Sequence, residues 1–127
     1  MRKIKVIIKR PDEKVGHAAW ISDTLRNLQG IVGGPIEVIP VDPSTFESRC
    51  DSVLVICNEE GKYQDLPYNF GIRKYYGPGM GWLKSDYTVG TVIVCRSSGE
   101  EFGNIPITLE EWKKAMETGH IKRKWRF

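Results

Sequence analysis

The chain has 127 residues, 40% of them hydrophobic and 28% charged, with a formal net charge of +3. That length suits one domain with one core, and four Trp within this apolar content argue against a disordered chain. No apolar run approaches the ~20 residues of a membrane span, and the start "MRKIKVIIKRPDEK" lacks the apolar length and cleavage site of a secretory leader, so a cytoplasmic protein with no membrane partner is expected.

The segment "KIKVIIK" (3–9) alternates. Ile4, Val6 and Ile8 share one face while Lys3, Lys5, Ile7 and Lys9 share the other, which predicts a strand with one buried side. After a polar connection, "AAWISDTLRNLQGIVGG" places Ile21, Leu25, Leu28 and Val32 at helical spacing. Gly33 and Gly34 stop that helix and Pro35 prevents its continuation. "PIEVIPV" (35–41) reads as a strand that Pro40 restricts to an edge or a bulge. "DSVLVICN" (51–58) is apolar on both faces and reads as a central strand, "NEEG" as a tight turn and "KYQ" as the start of a short return strand. Residues 64–86 show no sustained period and are expected to form a long irregular loop. "YTVGTVIVC" (87–95) reads as a second central strand and "RSSGEEF" as a hairpin turn.

In "ITLEEWKKAMETG", Thr108 is an N-cap and Glu111 completes a capping box, with Ile107 placed to pack on Trp112 as a hydrophobic staple. Leu109, Trp112 and Met116 form the expected buried stripe, and Gly119 ends the helix. The basic-aromatic tail "HIKRKWRF" (120–127) alternates again, as a last strand or a mobile arm. Paired with residues 3–9, it would set Lys122, Lys124 and Arg126 beside Lys3, Lys5 and Lys9. The expected fold class is α+β: a single domain over 1–127, with a mostly antiparallel sheet of about four to six strands and two helices packed on it.

Four pieces occur in order: "IVGGPIEVIPV", "VLVICNEEGKYQDLPYN", "YTVGTVIVC" and "FGNIPITLEEW". Together, over residues 3–116, the chain resembles a family of small proteins of Gram-positive bacteria, their phages and their mobile elements, the domain of unknown function 3846. The positions that carry the resemblance are Gly33, Gly34, Glu37, Asn58, Glu59, Gly61, Pro67, Asn69, Gly90 and Thr91. The family attaches no chemistry to them. The resemblance implies a phage or mobile-element origin, and this sequence departs from the pattern in "FGIRKYYGPGMGWLK" and in its tail.

Catalytic and metal chemistry find little footing. The three cysteines, Cys50, Cys57 and Cys95, form no CxxC, and the two histidines, His17 and His120, supply no paired ligand spacing. No metal or other cofactor is expected, and the cysteines read as free thiols. "GPGMG" is neither a P-loop nor a dinucleotide fingerprint. Asn58, Glu59 and Glu60 read as a solvated turn rather than a catalytic pair, while Glu37 could meet Asn69 or Thr91 near a cleft.

Binding is better supported. Tyr68, Asn69, Arg73, Lys74, Tyr75, Tyr76 and Trp82 offer cations and stacking faces in one stretch. The same residues would serve as protein-contact anchors, or simply cover the core. The ends are basic, with five Lys/Arg in 1–10 and four in 120–127, leaving ten of the nineteen basic residues against all sixteen acids between them. Lys122, Arg123, Lys124 and Arg126 are thus candidate anion ligands, or a solvated flank. The leading expectation is a non-enzymatic phage or mobile-element accessory protein that binds a host macromolecule, a host protein first, as an anti-CRISPR-like inhibitor of a defence system. The alternative is a nucleotide or nucleic-acid binding protein that uses the aromatic-basic segment and the basic termini.

Overall fold

The computed structural model describes residues 2–124. Its central element is a six-stranded, wholly antiparallel sheet. The strands are β1 (Lys3–Lys9), β2 (His17–Ser22), β3 (Ile36–Pro40), β4 (Val53–Asn58), β7 (Val92–Ser98) and β8 (Glu101–Gly103). Their order is β2-β1-β7-β4-β3, with β8 continuing the β1 side of β7. A separate hairpin joins β5 (Tyr68–Tyr75) to β6 (Trp82–Val89), and the helices are α1 (Leu25–Val32) and α2 (Leu109–Thr118). The fold is α+β, as the order of elements implied.

Alternation along the two innermost strands divides the core. Val53, Val55 and Cys57 of β4, with Val92 and Val94 of β7, join Ile7, Phe70, Ile72, Trp112 and Ala115 on one face. Leu54, Ile56, Ile93 and Cys95 point the other way and pack with Ile4, Val6, Ile8, Leu28 and Val32. One face therefore carries α1; the other carries α2 and the hairpin. The expectation that β1 is buried on one side only fails for this reason: Ile7 and Lys9 are buried on the second face.

The first helix is shorter than its spacing suggested. Residues 17–22 form β2, paired with β1 from Lys3↔Ser22 to Ile8↔His17, and Ile21 is buried opposite Ile4. Helix α1 starts only after Thr24, whose hydroxyl accepts from the Asn27 amide, so Leu25 stays exposed. At its far end Gly33 takes φ 88 and donates to Gln29 O at 2.8 Å, a left-handed cap that suits glycine. "KYQ" belongs to a run of turns, not a return strand.

The largest correction concerns residues 64–86. They are not an irregular loop: most of them belong to the β5–β6 hairpin, whose register shifts twice, between Tyr68 and Phe70 and between Ile72 and Arg73. Such bulges break the period of two along the strand, so the sequence shows no alternation there. The strand expected over 87–95 is also split. Gly90, at φ 71, turns the chain from the hairpin into β7.

Helix α2 begins where expected, the Thr108 hydroxyl accepting from Glu111 N at 3.1 Å. The reciprocal half of the box is replaced by a tertiary bond, since the Glu111 carboxylate accepts from Ser48 N at 2.9 Å. The buried stripe is Trp112 and Ala115, with Met116 partly buried and Leu109 exposed. Thr108→Ala removes the cap at a cost of about 1 kcal/mol. A thermal melt should record it as a drop of a few degrees, and an unchanged melt would mean that the hydroxyl does not hold the helix start.

The described part of the tail, residues 120–124, does not lie beside β1, whose two neighbours are β2 and β7. Arg73 N donates to Ile121 O at 2.8 Å and Arg123 N to Arg73 O at 2.9 Å, while Asp42 N donates to Lys122 O and Lys124 N to Pro40 O, both at 2.8 Å. Residues 121–124 thus connect the hairpin to the end of β3 and cover that sheet edge, and Ile121 is buried. Trp125, Arg126 and Phe127 lie outside the described residues.

Candidate functional site

The hairpin presents basic and aromatic side chains along one side. Arg73 lies opposite Lys84 and Tyr75 opposite Trp82 in the register, so these four share a face. The Tyr75 and Trp82 rings are 5.3 Å apart, and Lys122 Nζ lies 5.5 Å from the Trp82 ring. Lys84 crosses the backbone at Gly71, where the absent side chain leaves room for its stem, and its Nζ reaches 5.6 Å from the Tyr68 ring.

Between this face, the start of the tail and the end of β1 is a cleft of about 350 Å³. Lys9, Lys14, Arg73 and Lys84 line it together with Tyr68 and Asn69, and no Asp or Glu does among the described residues. Lys9 is its most unusual member, a lysine only 4% exposed. Its ammonium donates to Asn69 Oδ1 at 2.5 Å and, weakly, to Arg10 O at 3.5 Å, and stands 6.0 Å from the Phe70 ring. Burial depresses its pKa below the usual lysine value of 10.5, partly opposed by the through-space fields of Glu13 and Asp12. No carboxylate among the described residues forms an ion pair with it. Glu13 is engaged instead by His17 Nδ1 at 2.8 Å and by Arg10. A buried cation held by neutral acceptors is an energetic liability unless an anion joins it.

Asn69 fixes the cleft to the main sheet. Its Nδ2 donates to Lys9 O at 2.9 Å and Gly90 O at 2.8 Å, while its Oδ1 receives Lys9. Arg73 is partly committed, through Nε to Gly119 O at 3.2 Å. Of the residues singled out in the sequence, the fold therefore brings Tyr68, Asn69 and Arg73 into one cleft, with Tyr75 and Trp82 beside it. Lys74 stands apart, paired with Asp86 at 3.8 Å, and Tyr76 lies on the hairpin tip. The tail lysines diverge, Lys122 donating to Ser44 Oγ and Lys124 to Asp51 O, so Lys122 alone of the two meets the hairpin's aromatic face. Lys9, Lys14 and Lys84 were missed. Lys84 closes the unusual stretch "FGIRKYYGPGMGWLK" and was legible there; Lys9 looked like one more solvated position of an alternating strand.

A second, smaller cleft of about 160 Å³ holds Glu37, Cys57, Lys62 and Asp86. Glu37 meets Cys57 there, Sγ donating at 3.8 Å, rather than Asn69 or Thr91. Burial, followed by the Glu37 charge, pushes the Cys57 thiol up to about 12, and burial does the same to Cys95. In both, burial disfavours the thiolate, the form in which a cysteine attacks. The carboxylates of Glu59 and Glu60 sit on an exposed turn held by Asn58, whose Oδ1 accepts from Glu60 N at 2.8 Å.

The positions behind the family resemblance mostly brace the fold. A Cβ on Gly34 would lie 2.8 Å from Asn58 Oδ1, so the glycine pair and the Asn-Glu-Glu-Gly turn interlock, and Glu59 N donates to Pro35 O at 2.7 Å. Gly90 N donates to Pro67 O at 2.8 Å beside the Asn69 clamp. Residues 4–117 match the model of the family described as a domain of unknown function (DUF3846), so the chain belongs to that family. No curated protein and no solved structure matches the chain.

Proposed function

We propose that this member of the DUF3846 family is a binding protein for phosphate-bearing ligands, foremost single-stranded nucleic acid, held along the β5–β6 hairpin. The observation that carries this is the cleft: four cations, one of them buried, converge there, and no carboxylate lines it among the described residues. The aromatic groups lie where a strand leaving the cleft would need stacking platforms, Tyr68 at one end of β5 and the Tyr75–Trp82 pair at the other. At ~3.3 Å per residue, those ends are roughly 23 Å apart, long enough for several nucleotides. Binding rather than turnover fits the site, because Lys9 and Asn69 hold one another and, among the described residues, no carboxylate pair lines the cleft.

Anisotropy of a labelled oligothymidylate of about a dozen nucleotides tests the proposal. Binding should appear at about 50 mM salt, with log K falling against log salt at a slope near −2 to −3 for three or four phosphate contacts. Arg73→Ala with Lys84→Ala should flatten that slope by about 1.4. No anisotropy change at low salt, or a slope near zero, rules out a phosphate-led mode.

One observation favours a protein partner instead. The hairpin tip, 76–81, exposes Tyr76 and Met80, at 48% and 62%, as apolar groups on a projecting loop. A protein partner, such as the host target of a phage or mobile-element accessory protein, would dock through this tip. Changing Tyr76 and Met80 to Ser separates the two modes, since nucleic-acid affinity should be unaffected if the cleft and stripe are the binding surface.

A further inference from the structure

We infer that the cleft at Lys9 receives a terminal phosphomonoester, so that the protein recognises the phosphorylated end of a strand rather than its interior. This rests on the nucleic-acid proposal above and adds a specific role for the buried lysine. An internal phosphodiester has a sugar on both sides and one negative charge. To bring its oxygens to a lysine only 4% exposed, the chain would have to enter and leave a cleft of about 350 Å³. A phosphomonoester enters end-on, with three acceptor oxygens and close to two negative charges at neutral pH.

The donors match that chemistry. An ammonium has three hydrogens. One of Lys9's is taken by Asn69 Oδ1 and another reaches Arg10 O weakly at 3.5 Å, which leaves the third without a protein acceptor among the described residues. Asn69 cannot rotate to follow a ligand, because both hydrogens of its amide are held by the carbonyls of Lys9 and Gly90. Lys9 is thus held in place with a donor in reserve. Lys14, Arg73 and Lys84 around it provide the additional charge that a dianion requires, and Arg73 and Lys84 also begin the stripe leading to Trp82. A free mononucleotide carries the same terminal group, so the strand end and the mononucleotide are the two sources to separate.

The experiment compares three internally labelled oligothymidylates of one length, with a 5′-phosphate, a 3′-phosphate or hydroxyl ends, and adds unlabelled thymidine monophosphate as competitor. One of the phosphorylated strands should bind at least about tenfold more tightly than the hydroxyl strand, as expected for a charge-assisted pair in a buried site. Lys9→Met should erase that ratio, lowering the phosphorylated strand's affinity far more than the hydroxyl strand's. The wild-type ratio needs no variant, so a poorly folded Lys9→Met leaves the test intact. Equal binding of all three strands overturns the inference and leaves the nucleic-acid proposal standing. Binding of none overturns both. Competition by the monophosphate as effective as by the phosphorylated strand assigns the site to the free nucleotide and overturns strand-end recognition.

Discussion

Trp112→Ala should lower stability by about 4 kcal/mol, the cost of emptying a fully buried aromatic site. Trp112 is 0% exposed and unites three parts of the chain. It lies on α2, meets the Phe70 ring of β5 edge-on at a centroid distance of 5.8 Å, and donates from Nε1 to Val15 O at 2.9 Å in the β1–β2 connection. Truncation leaves a cavity and also strands the Val15 carbonyl. With total stability of ordinary size, roughly 5–15 kcal/mol, the loss is a large share, and the melting temperature should fall by roughly 10–20 °C. Trp112→Phe separates the two contributions, since it keeps most of the ring volume and removes the donor; it should cost about 1–2 kcal/mol. Denaturant melts of both variants provide the check. A loss below about 1 kcal/mol for the alanine variant would show that α2 and the hairpin do not pack through this residue.

Asn69→Ala should cost about 3 kcal/mol, because it leaves two buried carbonyls without their donor and one buried ammonium without its best acceptor. The effect should be uneven across the molecule. The hairpin is tied to the main sheet at this end by the Asn69 bonds to Lys9 O and Gly90 O, and at its middle by the tail at Arg73. Amide exchange should therefore accelerate in β5 and β6 more than in β4 and β7, whose pairing does not depend on Asn69. Asn69→Asp serves as the functional counterpart. It keeps an oxygen for Lys9 but adds a carboxylate to a cleft that none of the described residues lines with one, so the proposed anion binding should fall even where the fold survives. Uniform exchange across all four strands in the alanine variant would mean that Asn69 is not a local clamp.

What the sequence determined was set by short-range chemistry. Thr108 caps α2 through a bond to a residue three positions on, and Gly119 closes the helix at φ 68; both interactions are local and readable in order. The two-sided apolar run of β4 and the restriction of Pro40 to an edge strand likewise follow from residue type and pattern. Tertiary structure decided where local signals were weak or conflicting. Residues 17–22 carry Ile21 in phase with the following helix, yet pairing with β1 along six residues makes them a strand. Two bulges conceal the alternation of the hairpin, so its strands emerge only from their pairing with each other. Lys9 shows the limit most clearly. Alternation gave its strand but put the residue on the solvent side; the hairpin, folding over β1 from some sixty residues away, buried it against Asn69. Nothing within reach of Lys9 along the chain encodes that contact. The buried cation of the candidate site is therefore formed only once distant segments have packed.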